Sequence, residues 1–178
     1  MENNKKGSGK TWIIVAIIIV LVAASAVFAV LNSGNAQEKQ QSQENATVTV
    51  TKGDQQKTFD LAYLKALNKQ EFSAIVDTSK TDPTEKSFGG VPLKTVLYDL
   101  GFDIADAGQI VFSAVDGYTS VVTAEEALAE ENIYLVYERN KKPSGTRQQG
   151  GSGPIEIVIR GDAFAQRWCK FLMDITIE

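Results

Sequence analysis

Histidine is absent from this chain, and cysteine occurs once, at position 169. Without imidazole there is no Ser-His-Asp triad, no His-ligated zinc or haem, and no histidine general base. A single thiol excludes an intramolecular disulfide framework, a CxxC redox pair and a cysteine-rich metal knuckle. The basic stripe that nucleic acid requires is also missing: 18 Lys and Arg stand against 22 Asp and Glu, for a formal net charge of −4.

Charge is lacking in another way near the N-terminus. Trp12 to Leu31 runs for twenty residues without one charged side chain. At 1.5 Å per residue that is about 30 Å of helix, the thickness of one hydrocarbon core. Residues 1–11 carry Lys5, Lys6 and Lys10, and no basic residue follows the run closely. This predicts a basic cytoplasmic N-terminus, a retained transmembrane anchor over 12–31, and a single-pass protein of the cell membrane with everything beyond outside. The competing reading is a signal peptide cleaved near Ala24-Ser25-Ala26 or Gly34-Asn35-Ala36, which would leave a secreted protein. The run exceeds the usual h-region of about 7–15 residues, which favours the anchor. Residues 32–45, NSGNAQEKQQSQEN, hold no aromatic or branched apolar side chain beyond the run and read as a flexible polar linker.

The remaining 46–178 is one domain in size and needs no disulfide to fold. ATVTVT (46–51) alternates strictly and turns at Lys52-Gly53-Asp54 into QQKTF, an opening hairpin. Asp60 is placed to cap a helix LAYLKALN, and Pro92 and Gly101 bracket a second, LKTVLYDL. EFSAIVDT (71–78) is a strand expected to end in a turn around Thr81-Asp82-Pro83. QIVFSAV (109–115) is apolar on both faces, as a central strand would be. Thr123 to Glu126 is a capping box, and Glu125, Glu126, Glu130 and Glu131 read as a solvated helix region rather than a catalytic cluster. Further strands are expected at 133–138, 155–160 and 169–177, with a helical turn near 162–168. The irregular order of strands and short helices predicts an α+β fold rather than a doubly wound sheet.

Two places could carry chemistry. The loop 140–154, NKKPSGTRQQGGSGP, combines Lys141, Lys142 and Arg147 with Gly145, Gly150, Gly151 and Gly153. Glycines let backbone N–H groups converge into an anion nest, which the cations would supplement. Gly145 and Gly150 have the spacing of a phosphate-binding P-loop, but Gly151 stands where its Lys must be, so that motif is rejected. The second place is Asp116-Gly117-Tyr118, a carboxylate and a phenol at the end of a central strand. Each also reads simply as a solvated connection or a plain Asp-Gly turn.

One series of residues carries a resemblance. It runs Phe88-Gly89-Gly90-Val91-Pro92-Leu93, Val115-Asp116-Gly117-Tyr118, Glu125-Glu126-Ala127-Leu128, Tyr134-Leu135-Val136-Tyr137-Glu138-Arg139-Asn140, Gly153-Pro154 and Arg167-Trp168-Cys169-Lys170-Phe171-Leu172. Over about 70–178 this resembles the oxidoreductase molybdopterin-binding domain of the sulfite oxidase family. The resemblance implies the mixed α+β fold of that family, with molybdopterin as the cofactor. It implies cofactor-side roles for Asp116, Tyr118 and Lys170, beside Arg147, Gly151 and Gly153 of the loop. Two positions depart from the family. No cysteine stands near EFSAIVDTS, where the family holds its metal, and Glu156 replaces the arginine that holds the pterin phosphate.

The expectation is therefore a membrane-tethered, non-catalytic member that assigns no residue to a metal. It binds a small anionic ligand or a partner protein between the 140–154 loop and the Asp116–Tyr118 turn. An active molybdopterin-dependent oxidoreductase with unusual metal ligation and an exported scaffold without small ligand remain open. Cys169 is expected to be core, sharing a strand face with Phe171, Met173, Ile175 and Ile177.

Overall fold

A computed structural model describes residues 12–22, 47–78, 81–147 and 150–178. It divides into two units, Met1–Lys39 and Gln40–Glu178. In the first, residues 12–22 are helical and their apolar side chains are exposed. Among the described residues no helix is long and apolar enough to cross a membrane. The basic segment 1–11, the second half of the expected span (23–31) and the linker 32–45 lie outside the described residues.

The second unit is built from β1 (Val48–Lys52), β2 (Gln55–Phe59), α1 (Leu61–Ala66), β3 (Gln70–Thr78), β4 (Thr81–Pro92), α2 (Leu93–Asp99), β5 (Gln109–Ala114), β6 (Thr119–Thr123), α3 (Ala124–Leu128), β7 (Ile133–Arg139), β8 (Lys142–Pro143), β9 (Glu156–Ile159) and β10 (Leu172–Ile177). A 3-10 turn, Ala165–Arg167, precedes the last strand. One sheet has the order β2-β1-β10-β5-β6, with β1 and β10 parallel and the other pairs antiparallel. The other has the order β3-β4-β7, and the far edge of β7 is shared by β9 at its start and β8 at its end. This is the mixed-sheet α+β architecture expected.

Local chemistry explains most of the boundaries. The opening hairpin turns on Gly53 and Asp54, with Gly53 at φ +56°. Asp60 accepts a hydrogen bond from Tyr63 N at 2.8 Å and starts α1, whose buried residue is Leu64. Helix α2 buries Leu93, Val96 and Leu97 and ends at Gly101, φ +79°. Gly101 N donates to Tyr98 O at 2.9 Å and Phe102 N to Leu97 O at 2.8 Å, the paired bonds of a Schellman motif. At α3 both halves of the Thr123–Glu126 capping box are formed.

Three expectations need correction. Thr81, Asp82 and Pro83 are not a turn but the first residues of β4, paired back onto β3 through Thr78↔Thr81 and Val76↔Thr84 with an irregularity between. Strand β5 is central, yet it buries one face only, through Ile110, Phe112 and Ala114. The last strand begins at Leu172 rather than 169, because Phe171 sits at φ +54° and breaks the extended run. A register irregularity between Leu172 and Asp174 then turns Leu172 inward and leaves Met173 half-buried, so Cys169 does not share a strand face with Met173.

The second sheet carries the aromatic part of the core. Phe72 stacks on Tyr134 at 4.0 Å between centroids, and Trp168 meets Phe88 edge-on at 5.5 Å. The indole N–H of Trp168 donates to Ile159 O at 3.0 Å, so its one polar atom is satisfied. Gly90 is required where β4 bulges against β7: a Cβ there would lie 2.3 Å from Leu135 O.

Candidate functional site

The Asp116-Gly117-Tyr118 turn closes the β5–β6 hairpin with Gly117 at φ +85°. Ala114 N donates to Tyr118 O at 2.9 Å and Gly117 N to Ala114 O at 3.0 Å. One carboxylate oxygen of Asp116 accepts from Tyr118 N at 3.2 Å, which holds the side chain in place. The other accepts from Arg147 Nη2 at 3.0 Å. The Arg147 guanidinium lies 5.0 Å over the ring of Phe171. The Tyr118 hydroxyl donates to Gln166 O, tying the turn to the segment that precedes β10. Partial burial raises the pKa of this phenol, and the neighbouring Cys169 adds to the effect.

The 140–154 loop is more ordered than a solvated connection. Asn140 and Lys141 both have positive φ, 52° and 61°, and form a two-residue hairpin turn between β7 and β8. Ser144 N donates to Tyr137 O, Ser152 N to Ser144 O and Gly153 N to Gly145 O, so the two arms of the loop pair with each other. Gly151 allows that approach: a Cβ on it would lie 2.2 Å from Ser144 O. Gly153, at φ +101°, packs against the backbone of Phe171, and Phe171 N donates to Ser152 O at 2.8 Å. Among the described residues, three glycine amides of the expected anion nest are spent inside the loop. Gly150 N donates to Arg147 O, Gly151 N to Thr146 O and Gly153 N to Gly145 O, so the loop consumes its own amides.

Asp116 pairs with Arg147, and Arg147 and Gly153 both pack against Phe171, so the loop and the Asp116–Tyr118 turn lie side by side, with Gly151 holding the loop in shape. Of the three loop cations, Arg147 is the one paired to the Asp116 turn; Lys141 and Lys142 belong to the hairpin end. Lys170 is exposed, and its charge acts on Glu156.

Glu156 is the residue whose role sequence reasoning missed. It is 0% exposed, at the start of the wholly buried strand β9. Arg139 Nη2 donates to its Oε2 at 2.8 Å. Burial pushes the carboxyl above the ordinary carboxylate range, opposed by Arg139, the nearby Ser152 hydroxyl and Lys170. Arg139 Nε and Ser144 Oγ are buried without a hydrogen-bond partner. A signal was present: one carboxylate in the apolar run IEIVI requires a cation from a neighbouring strand, and YLVYER ends in Arg139.

Cys169 is 0% exposed, and its sulfur has only a distant contact, 4.0 Å, with Lys170 O. Burial pushes the thiol up to about 12, with Asp116 adding to the shift. A molybdenum ligand must be a thiolate with an open coordination path, so this sulfur does not fit that role. The half-buried cation Arg139 is already neutralised by Glu156 and does not fit a phosphate. Among the described residues no group of three or more His, Cys, Asp or Glu is placed to hold a metal ion. Elsewhere, a shallow groove of about 470 Å³ is lined by residues including Gln109, Val121, Glu126 and Arg167. Its Arg167 is held by Asp162 and by Glu126 at 2.9 Å, an arrangement that lowers the pKa of Glu126.

Comparison with known proteins gives the family. The crystal structure of the sulfane dehydrogenase SoxCD from Paracoccus pantotrophus superposes with a TM-score of 0.62 at 13% identity. The match covers 76% of this chain but 38% of that one, and at this identity it speaks for the fold alone. No curated protein matches the sequence. Residues 35–178 match the family described as the oxidoreductase molybdopterin binding domain, which agrees with the mixed sheets, the Asp-Gly-Tyr turn and the Gly-Pro loop end. The chain belongs to the oxidoreductase molybdopterin-binding domain family.

Proposed function

We propose that this chain is a membrane-anchored, extracytoplasmic member of its family that performs no molybdenum chemistry. In this reading it binds an anionic group, carried by a small ligand or a partner protein, at Arg147 beside the Asp116–Tyr118 turn. The observation that carries the non-catalytic reading is the burial of Cys169, the one thiol of the chain, with its proton held to about pH 12. The exposed ion pair of Arg147 and Asp116 supports the binding role, because such a pair exchanges partners at little cost. The uncharged run Trp12–Leu31 behind three lysines supports the anchor and the outward placement of the domain.

Elemental analysis and pterin fluorescence of the natively exported protein test the central claim. The expected result is no stoichiometric molybdenum and no pterin emission. Stoichiometric molybdenum that is lost in Cys169→Ala would instead restore the reading of a molybdopterin-dependent oxidoreductase with unusual ligation. For the anchor, protease added to spheroplasts should remove the domain and leave a small membrane stub. Quantitative release with a new N-terminus near Val27 or Gln37 would mean a cleaved signal.

A further inference from the structure

We propose that the tip of the β7–β8 hairpin, with Lys86 beside it, is a docking surface for anionic lipid. The surface is separate from the Arg147 site. Among the described residues of the domain, most cations have a partner. The arginines, Lys69 and Lys94 stand in ion pairs. Lys52 and Lys57 donate to the carbonyls of Asp103 and Leu100, and Lys65 lies over the Tyr137 ring at 5.9 Å. Lys170 acts on Glu156. Lys86, Lys141 and Lys142 are left, in a chain of net charge −4, and the fold brings these three together.

The Asn140–Lys141 turn carries Lys141 and Lys142 outward, and both are exposed. Ser87 O accepts from Asn140 N at 2.8 Å and Ser87 N donates to Asn140 Oδ1 at 3.3 Å, which sets Lys86 beside that turn. Phe88 stands opposite Arg139, and Arg139 opposite Lys142. Side chains alternate along a strand, so Lys86 and Lys142 share the face of Phe88 and Arg139. The neighbouring carboxylates are engaged or turned away. Glu156 is held by Arg139 and Glu138 by Lys69, and the same alternation puts Glu85 on the opposite face of β4. Three like charges without a counter-ion from the chain suit a layer of anionic headgroups, which attracts lysines close to it. The choice of lipid over an acidic protein rests on the anchored reading above. A polar connection of the length of 32–45 has a reach of about 20 Å, which holds the domain near the bilayer at an effective concentration on the order of millimolar.

The test uses the full-length protein reconstituted with vesicles of phosphatidylcholine alone or of an equal mixture of phosphatidylcholine and phosphatidylglycerol. A membrane-impermeant amine reagent, read by mass spectrometry, reports the exposure of each lysine, with Lys57 of the other sheet as internal reference. Lys86, Lys141 and Lys142 should react at least about threefold more slowly on the mixed vesicles than on the neutral ones. Lys57 should be unchanged, and the protection should vanish at about 1 M salt. In Lys141→Glu/Lys142→Glu the protection of Lys86 should be lost. Equal reactivity on the two kinds of vesicle, or protection of Lys86 that survives in the double variant, overturns the proposal. Equal protection on neutral vesicles would assign the tip to a second copy of the chain and overturns it too. Flotation keeps the two readings apart. A chain that floats with neutral vesicles upholds the anchor, whatever the lysines show. A chain that floats only with the mixed vesicles refutes the anchor; loss of that flotation in the double variant then upholds the docking surface, and its persistence overturns it. Flotation with neither overturns both.

Discussion

Gly153→Ala tests whether the loop and the Phe171 segment are locked together. A Cβ at 153 would lie 2.7 Å from both Cα and N of Phe171 and 3.1 Å from its ring. The neighbour is mainly backbone, and it cannot retreat freely. Phe171 N donates to Ser152 O at 2.8 Å, and Phe171 O accepts from Val115 N at 3.0 Å. The Gly153 φ of +101° adds a conformational cost that an L side chain must bear. That strain contributes about 1–3 kcal/mol, and overpacking against fixed backbone about 1–3 kcal/mol more. The expected loss is therefore about 4 kcal/mol, within a range of about 2–6. Gly150→Ala is the matched control, with φ +69° and nothing within 4 Å of the added Cβ, so it should lose only about 1–2 kcal/mol. Urea denaturation followed by fluorescence, with Trp168 buried beside the segment, measures both. A Gly153→Ala midpoint within about 0.5 kcal/mol of the Gly150→Ala value would refute the locked geometry.

Three further outcomes are expected. Cys169→Ala should cost about 1 kcal/mol as a modest core truncation. The thiol's pKa is raised from 9.0 to about 12, so the folded state keeps a proton that the unfolded state releases; wild-type stability falls as pH rises from about 9 towards 12, and urea titrations across pH 8–10.5 should show a shallower fall in Cys169→Ala. Thr123→Ala removes the side-chain acceptor of the capping box and should lower stability by about 1 kcal/mol, read as a thermal shift, with Thr123→Ser recovering most of it. Arg147→Glu breaks an exposed pair and should change stability by less than about 1 kcal/mol, while abolishing thermal stabilisation by anionic compounds that bind the wild type through this site; unchanged stabilisation would displace the binding site from Arg147.

The elements with local causes were legible in the sequence. ATVTVT with Gly53, Asp60, the Pro92–Gly101 helix and the Thr123 capping box all depend on contacts within a few residues, and each stands where the pattern placed it. The 140–154 loop was expected opposite the Asp116–Tyr118 turn across a ligand; the direct pair of Asp116 with Arg147 was not foreseen. What failed rests on nonlocal geometry. The face of Cys169 could not be read because Phe171 takes a left-handed conformation, against its intrinsic preference, to satisfy Ser152 and Val115. The pairing of Glu156 with Arg139 follows from the β7–β9 register, which aligns Val136 with Glu156 across a long loop. The same loop spends its glycine amides internally, and composition alone does not distinguish a nest from a folded loop.

The parallel contact of β1 with β10 has a consequence for how the domain is made. Strand β10, last of the domain in chain order, lies between β1 and β5, so it is the seam of its sheet. Until Leu172–Ile177 has left the ribosome, the β1–β2 and β5–β6 hairpins have no common partner, and isolated hairpins are marginal in water. The sheet closes by joining residues more than a hundred positions apart, as Val50 meets Ile175. Such a chain folds late and slowly for its size. Stopping translation before Leu172 should leave a protease-sensitive polypeptide rather than a smaller folded domain.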